Sequence, residues 1–116
     1  MSRVFVVQQP ARFDHTKKNF VPKYDLSPAA AHGRLVYLLG PGNIFKDRMD
    51  QATRQIARVL NDYSEDDCLL AVGDPVAIAA AVMIAGKRTG GFVRLLKWDR
   101  LSGSYECFRV NSNVAA

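Results

Sequence analysis

The residues in this 116-residue chain best suited to chemistry are cations and aromatics set into strand-like sequence near its C-terminal end. Arg94-Leu95-Leu96-Lys97-Trp98-Asp99-Arg100 turns through Leu101-Ser102-Gly103 into Ser104-Tyr105-Glu106-Cys107-Phe108-Arg109-Val110. Two apolar runs around a polar, glycine-containing loop read as a β-hairpin. On a sheet surface, cations hold a nucleic-acid backbone while aromatic rings stack on unpaired bases. Loop length sets which residues share a face, because a slip of one position exchanges the faces. A four-residue loop, Arg100 to Gly103, pairs Trp98 with Tyr105, Lys97 with Glu106 and Arg94 with Arg109. A three-residue loop, Leu101 to Gly103, sets Trp98 opposite Glu106 and Lys97 opposite Cys107. The first register makes an aromatic pair and an opposite-charge pair, each worth a few tenths to about 1 kcal/mol, and is the one expected. It gathers Arg94, Trp98, Tyr105 and Arg109, with two arginines whose repulsion a bound phosphate relieves. The competing reading makes Trp98 and Tyr105 core residues and leaves the arginines to solvate an edge strand.

A second candidate region lies between Gln9 and Gly33, where periodicity is lost and Pro10, Pro22 and Pro28 punctuate the chain. Arg12, Lys17, Lys18 and Lys23 are interleaved there with Phe13, Phe20 and Tyr24. Stretches of this length without regular structure are uncommon in compact domains and are often functional or disordered. The expectation is a basic arm over residues 9–34 whose lysines contact phosphate and whose rings stack on bases at roughly 1–3 kcal/mol each. The same rings can instead pin the arm to its own core or to a neighbouring subunit. Within it, Asp25 to Ala31 predicts one helical turn, with Ser27 as cap and Pro28 at the first helical position.

Other chemistries find less support. The turns Gly40-Pro41-Gly42-Asn43 and Val72-Gly73-Asp74-Pro75 would lie at the carboxyl edge of a parallel sheet, where small ligands often bind. Neither carries a Gly-x-Gly-x-x-Gly or Gly-x-x-x-x-Gly-Lys-Ser/Thr pattern, and Asp74 would repel a phosphate. Asp66-Asp67 beside Glu65 reads as a solvated acidic turn. His15 and His32 stand far apart with no Cys-x-x-Cys, so no metal is expected. Cys68 and Cys107 sit in apolar segments and are expected to be buried free thiols. With no catalytic constellation, neither enzyme activity nor a cofactor is expected.

The elements that must position these residues follow from patterning. Arg3 to Gln8 is a short strand whose Val-Phe-Val-Val core predicts burial on both faces. Leu35 to Leu39 and Cys68 to Val72 are further strands. Between them Met49, Ala52, Ile56, Val59 and Leu60 recur at helical spacing. Asp74 and Pro75 start a second helix as N-cap and first-turn residue. That helix is apolar all round from Val76 to Ala85, which asks for a second covering layer or another subunit. At about half the length of a bilayer span it is not expected to cross a membrane. The order implies an α/β fold: a mixed, partly parallel central sheet, two main helices and a C-terminal antiparallel hairpin, in one domain over residues 1–110. Residues 111–116 read as a disordered tail. Charge is segregated: residues 1–34 carry +4, residues 35–85 carry −3 and residues 86–116 carry +4. Such asymmetry steers a polyanion towards one surface.

Val4-Phe5-Val6-Val7-Gln8, Asp25-Leu26-Ser27-Pro28-Ala29-Ala30, Ala71-Val72-Gly73-Asp74-Pro75 and Leu95-Leu96-Lys97-Trp98-Asp99-Arg100 together resemble small bacteriophage proteins of the Drc type. That family comprises single-stranded-DNA-binding cofactors of phage RNA polymerase. The resemblance implies binding of unpaired DNA without strong sequence preference, self-association, and a role in transcription or replication in the cytoplasm of an infected bacterial host. It transfers no binding motif residue by residue. The expected DNA contacts, Lys17, Lys18, Lys23, Arg94, Lys97, Trp98, Arg100, Tyr105 and Arg109, therefore rest on charge and aromaticity. The alternative is a phage protein-interaction module that redirects a host protein.

Overall fold

The computed structural model describes residues 2–23 and 25–114. Its centre is a five-stranded sheet built from β1 (Arg3–Gln8), β4 (Arg34–Leu39), β5 (Cys68–Leu70), β6 (Phe92–Asp99) and β7 (Ser104–Asn111), in the order β4-β1-β5-β6-β7. The first four in that order run parallel, and β7 closes the sheet as an antiparallel edge. Parallel neighbours require crossovers. Residues 9–33 carry the chain from β1 to β4, α1 (Met49–Val59) lies in the connection from β4 to β5, and α2 (Pro75–Arg88) in that from β5 to β6. The α/β expectation with a C-terminal hairpin is met.

Both helices cover one face of the sheet. Phe5, Val7, Leu38, Leu69 and Val93 pack there against Ile56 and Leu60 after one crossover and Ala77, Ala81 and Ala85 of α2. The three alanines let α2 lie close to the strands, and all three are fully buried. Asp74 caps this helix as expected, its carboxylate accepting from the amides of Val76 and Ala77. The all-apolar pattern overstated what α2 leaves uncovered. Ile78, Ala80, Val82 and Ile84 are partly buried against the same core, while Val76 and Met83 are exposed.

The other face carries Val4, Val6, Cys68, Leu70, Leu96 and Tyr105, covered in part by Leu26 and Ala29 of a short 3-10 helix, Ser27–His32. Burial of Val4 to Val7 on both faces is thus met, but by unequal layers.

The presumed irregular arm contains a second sheet, the hairpin β2 (Ala11–Asp14) and β3 (Asn19–Pro22). Phe13 and Phe20 face each other across it, their rings edge-on at 5.4 Å. Asp14 Oδ1 accepts from the amides of Thr16 and Lys17, which turns the chain without a glycine. Ser27 is not the cap: Leu26 holds that position, and Ser27 donates through both amide and hydroxyl to Asp25 Oδ1. Tyr24 lies outside the described residues.

Two further expectations change. Asp67 is buried rather than solvated; its carboxylate accepts from the Arg3 guanidinium at 2.9 Å and from the amides of Arg3 and Ser64. Cys107 is exposed, because it lies on the sheet face away from the helices at the outermost strand, where nothing among the described residues covers it as the neighbouring strands and 3-10 helix cover Leu96. At the chain's end Asn111 belongs to β7, and Ser112 and Asn113 bond to the carbonyls of Gly91 and Gly90; residues 115 and 116 lie outside the described residues.

Candidate nucleic-acid interface

The β6–β7 loop fixes the hairpin register. Asp99 pairs with Ser104 around a four-residue loop, with the amide of Gly103 donating to the Asp99 carbonyl. Gly103 takes φ +65°, a conformation glycine adopts without a Cβ clash. The hydroxyl of Ser102, and then its amide, donate to the Asp99 carboxylate and hold its pKa below the ordinary carboxylate value. Trp98 consequently pairs with Tyr105, Lys97 with Glu106, and Arg94 with Arg109, which is the expected register.

Strand alternation then sorts the candidate residues. Arg94, Trp98, Tyr105 and Arg109 share the face away from the helices, where Leu96 and Tyr105 join the smaller core. Lys97 borders the same cavity as Trp98 and Tyr105, but its side chain is not on their face. It alternates to the helix side, with its Nζ 5.9 Å from the Phe108 ring centroid. Arg100 begins the loop and lines the same cavity as Trp98 and Tyr105.

Trp98 and Tyr105 settle the core-or-surface question differently from each other. Tyr105 is 7% exposed and Trp98 45% exposed, with rings 5.1 Å apart at 72°. The tyrosine supports the tryptophan from below, and the tryptophan offers ring surface to solvent. Arg109 lies over Phe92 at 4.6 Å, which orients its guanidinium while leaving N–H donors at the edge. Among the described residues the ion pairs belong to Arg3, with Asp62 and Asp67, so Arg94, Arg100 and Arg109 have no carboxylate partner. Directly opposed arginines repel. An anion laid between them removes that cost.

The neighbouring Cys68 is held inert. Burial pushes its thiol up to about 11, against the opposing influence of Arg94, so it stays protonated and fills space.

A cavity of about 610 Å³ opens beside Trp98, lined also by Leu70, Val72, Leu96, Lys97, Arg100 and Asp25. Asp25 was absent from the expected contacts. Its signal was present in the sequence as the Asp-x-Ser spacing that immobilises it.

The arm lysines stand apart from this cavity. Lys17 and Lys18 form the exposed β2–β3 tip, Lys18 at φ +56°. Lys23 lines the crevice between the ends of β1 and β5, where strand order reverses. That crevice is the usual ligand position in such sheets, but here Gln8 occupies its polar groups. Its Nε2 donates to the carbonyls of Gly40 and Gly42, and its Oε1 accepts from the Asp74 amide at 2.9 Å. Pro75 has no amide, and those of Val76 and Ala77 are bound by Asp74. The first turn of α2 has no donor left for a phosphate. Gly73, at φ +108°, lets Gln8 in: a Cβ there would stand 2.4 Å from that of Gln8.

Strand order, layers and open face define a small α/β protein whose sheet carries a cationic, aromatic surface on one side. The family model of phage Pam3 gp32-like proteins matches residues 2–112, and the chain belongs to that family. It is a bacteriophage protein. No curated protein and no solved structure matches it. Among the described residues no helix is long and apolar enough to cross a membrane.

Proposed function

We propose that this phage protein binds single-stranded DNA on the open face of its β6–β7 hairpin and acts, without enzymatic activity, as a cofactor of phage transcription. The observation that carries the reading is a half-exposed Trp98 braced by buried Tyr105 and flanked by arginines without carboxylate partners. Bases stack on the ring, and Arg94, Arg100 and Arg109 take phosphates. Lys17, Lys18 and Lys23 extend the cationic path. The Drc-type resemblance supports a phage RNA polymerase as the protein partner in the infected host's cytoplasm. Self-association belongs to the same proposal, supported by the unpaired outer edge of β7. The use of Gln8 and Asp74 to saturate the switch-point amides supports a non-enzymatic reading.

The test is a titration with labelled single-stranded and double-stranded DNA at two salt concentrations. Single strands should bind more tightly, with affinity falling steeply as salt rises. Trp98→Ala should cost about tenfold, within the roughly 1–3 kcal/mol of one base–aromatic stack. Binding that ignores salt, or survives both Trp98→Ala and Arg94→Ala unchanged, overturns the assignment.

One observation favours a second reading, a protein-interaction module. Phe108 and Val110 are exposed on the helix side of β7, and Met83 is exposed on α2. Capture of a host protein from nuclease-treated lysate, abolished by Phe108→Ser, would support it.

A further inference from the structure

The cavity beside Trp98 holds a charge that phosphate binding does not explain. A surface built only for phosphate gains from every cation and loses from every carboxylate, yet Asp25 lines this cavity opposite in sign to Lys97 and Arg100. Asp25 is also held in place. Its Oδ1 accepts from both the amide and the hydroxyl of Ser27 at the start of the 3-10 helix, while its Oδ2 has no partner among the described residues. The side-chain bond from Ser27 is the main cause that keeps its pKa below the ordinary carboxylate value. The group is therefore an ionised, acceptor-only oxygen at a fixed position. Around it the lining is largely apolar, with Leu70, Val72 and Leu96 meeting the rings of Trp98 and Tyr105. At about 610 Å³ the space falls in the range of small-ligand sites.

We propose that this cavity receives one unstacked nucleobase and that Asp25 selects bases carrying an exocyclic amino group. This rests on the single-stranded-DNA reading above. Trp98 stacks on the base, Arg100 meets its phosphate, and the free Asp25 oxygen accepts a hydrogen bond from the amine. Cytosine N4 is a natural donor to a carboxylate. Thymine has the same ring size but presents a carbonyl at that position, and its one N–H donor is flanked by two carbonyl oxygens that the carboxylate repels. The pocket thus discriminates between two pyrimidines of similar stacking area.

The experiment compares short labelled oligo(dC) and oligo(dT) of equal length by fluorescence anisotropy, at mildly alkaline pH where cytosine is uncharged. Oligo(dC) should bind the native protein about fivefold more tightly, since one charge-assisted hydrogen bond in a partly open site supplies somewhat less than the 1.4 kcal/mol of a tenfold change. Asp25→Asn keeps an oxygen for Ser27 and turns the free acceptor into an amide donor. It should erase the oligo(dC) advantage and strengthen oligo(dT) binding, with an unchanged circular dichroism spectrum showing that the 3-10 helix and sheet persist. Equal binding of the two oligonucleotides by the native protein, or an oligo(dC) advantage that persists in Asp25→Asn, overturns the base pocket alone. Failure to bind either oligonucleotide overturns the pocket together with the single-stranded-DNA reading.

Discussion

The two faces of one sheet have been put to opposite uses. On the helix side, Phe5, Val7, Leu69 and Val93 are sealed under α1 and α2, and the close packing there depends on Ala77, Ala81 and Ala85. On the other side, the same strands carry Val4, Val6 and Leu70 towards a single 3-10 helix, and then, on β6 and β7, Arg94, Trp98 and Arg109 towards solvent. Strand β6 makes the contrast within eight residues: Val93 and Leu95 turn inward while Arg94 and Trp98 turn outward. Stability and recognition are thereby separated by a single Cβ direction. The helix face specifies the fold, which frees the open face to carry cations without carboxylate partners that a packed face could not tolerate.

The widest separation comes from truncating the sealed face. Phe5→Ala removes a ring that is 1% exposed and should cost about 3–5 kcal/mol of stability, measured by urea denaturation. DNA affinity, measured where the variant is still folded, should stay within about twofold of the native value. A large loss of affinity in the folded variant would show that the two faces are coupled and break the comparison.

An intermediate effect comes from the pair that ties β1 to the turn before β5. Burial alone raises the Asp67 pKa, but hydrogen bonds from the Arg3 guanidinium and from the amides of Ser64 and Arg3 outweigh it, leaving the carboxyl below the ordinary value of 3.8. A carboxylate with a lowered folded pKa contributes stability that is complete above the unfolded pKa and lost as pH falls through the folded one. Thermal stability should therefore fall as pH drops below about 4. Asp67→Asn should flatten that part of the curve and cost about 2 kcal/mol at neutral pH, the scale of a hydrogen bond to a charged group. An acid limb identical in the variant would assign the loss to other carboxylates.

How much of this was legible varied with the physics behind each element. The five main strands and both helices follow from apolar periodicity, and the hairpin register follows from pairing Trp98 with Tyr105 and Lys97 with Glu106. The β2–β3 hairpin escaped because four-residue strands with polar neighbours show no periodicity. Its signals were the Phe13–Phe20 pair and the turn-forming Asp14. Asp67 looked like a surface acid because its partner Arg3 is sixty-four residues away, and Gln8 carried no local hint of the crevice it closes. Lys97 is a different case. Given the register, alternation turns its side chain to the face opposite Arg94, yet the residue still borders the cavity beside Trp98, so charge and geometry each capture part of its place.

Lys97 therefore gives the smallest and sharpest effect. Arg94 and Lys97 are three residues apart on β6, carry the same charge, and point to opposite faces. If recognition depended on net charge alone, replacing either would weaken binding alike. If it depends on the open face, Arg94→Ala should reduce single-stranded-DNA affinity about fivefold and lower the slope of log affinity against log salt by about one. Lys97→Ala should stay within about twofold, with the slope nearly unchanged, because the residue borders the Trp98 cavity while its ammonium lies near Phe108 on the far side of the sheet. Equal losses would shift the binding surface from the open face to the hairpin's rim, where both cations can be reached. A larger loss for Lys97→Ala would put the strand on the helix side, against the exposed rings and side chains of Phe108 and Val110.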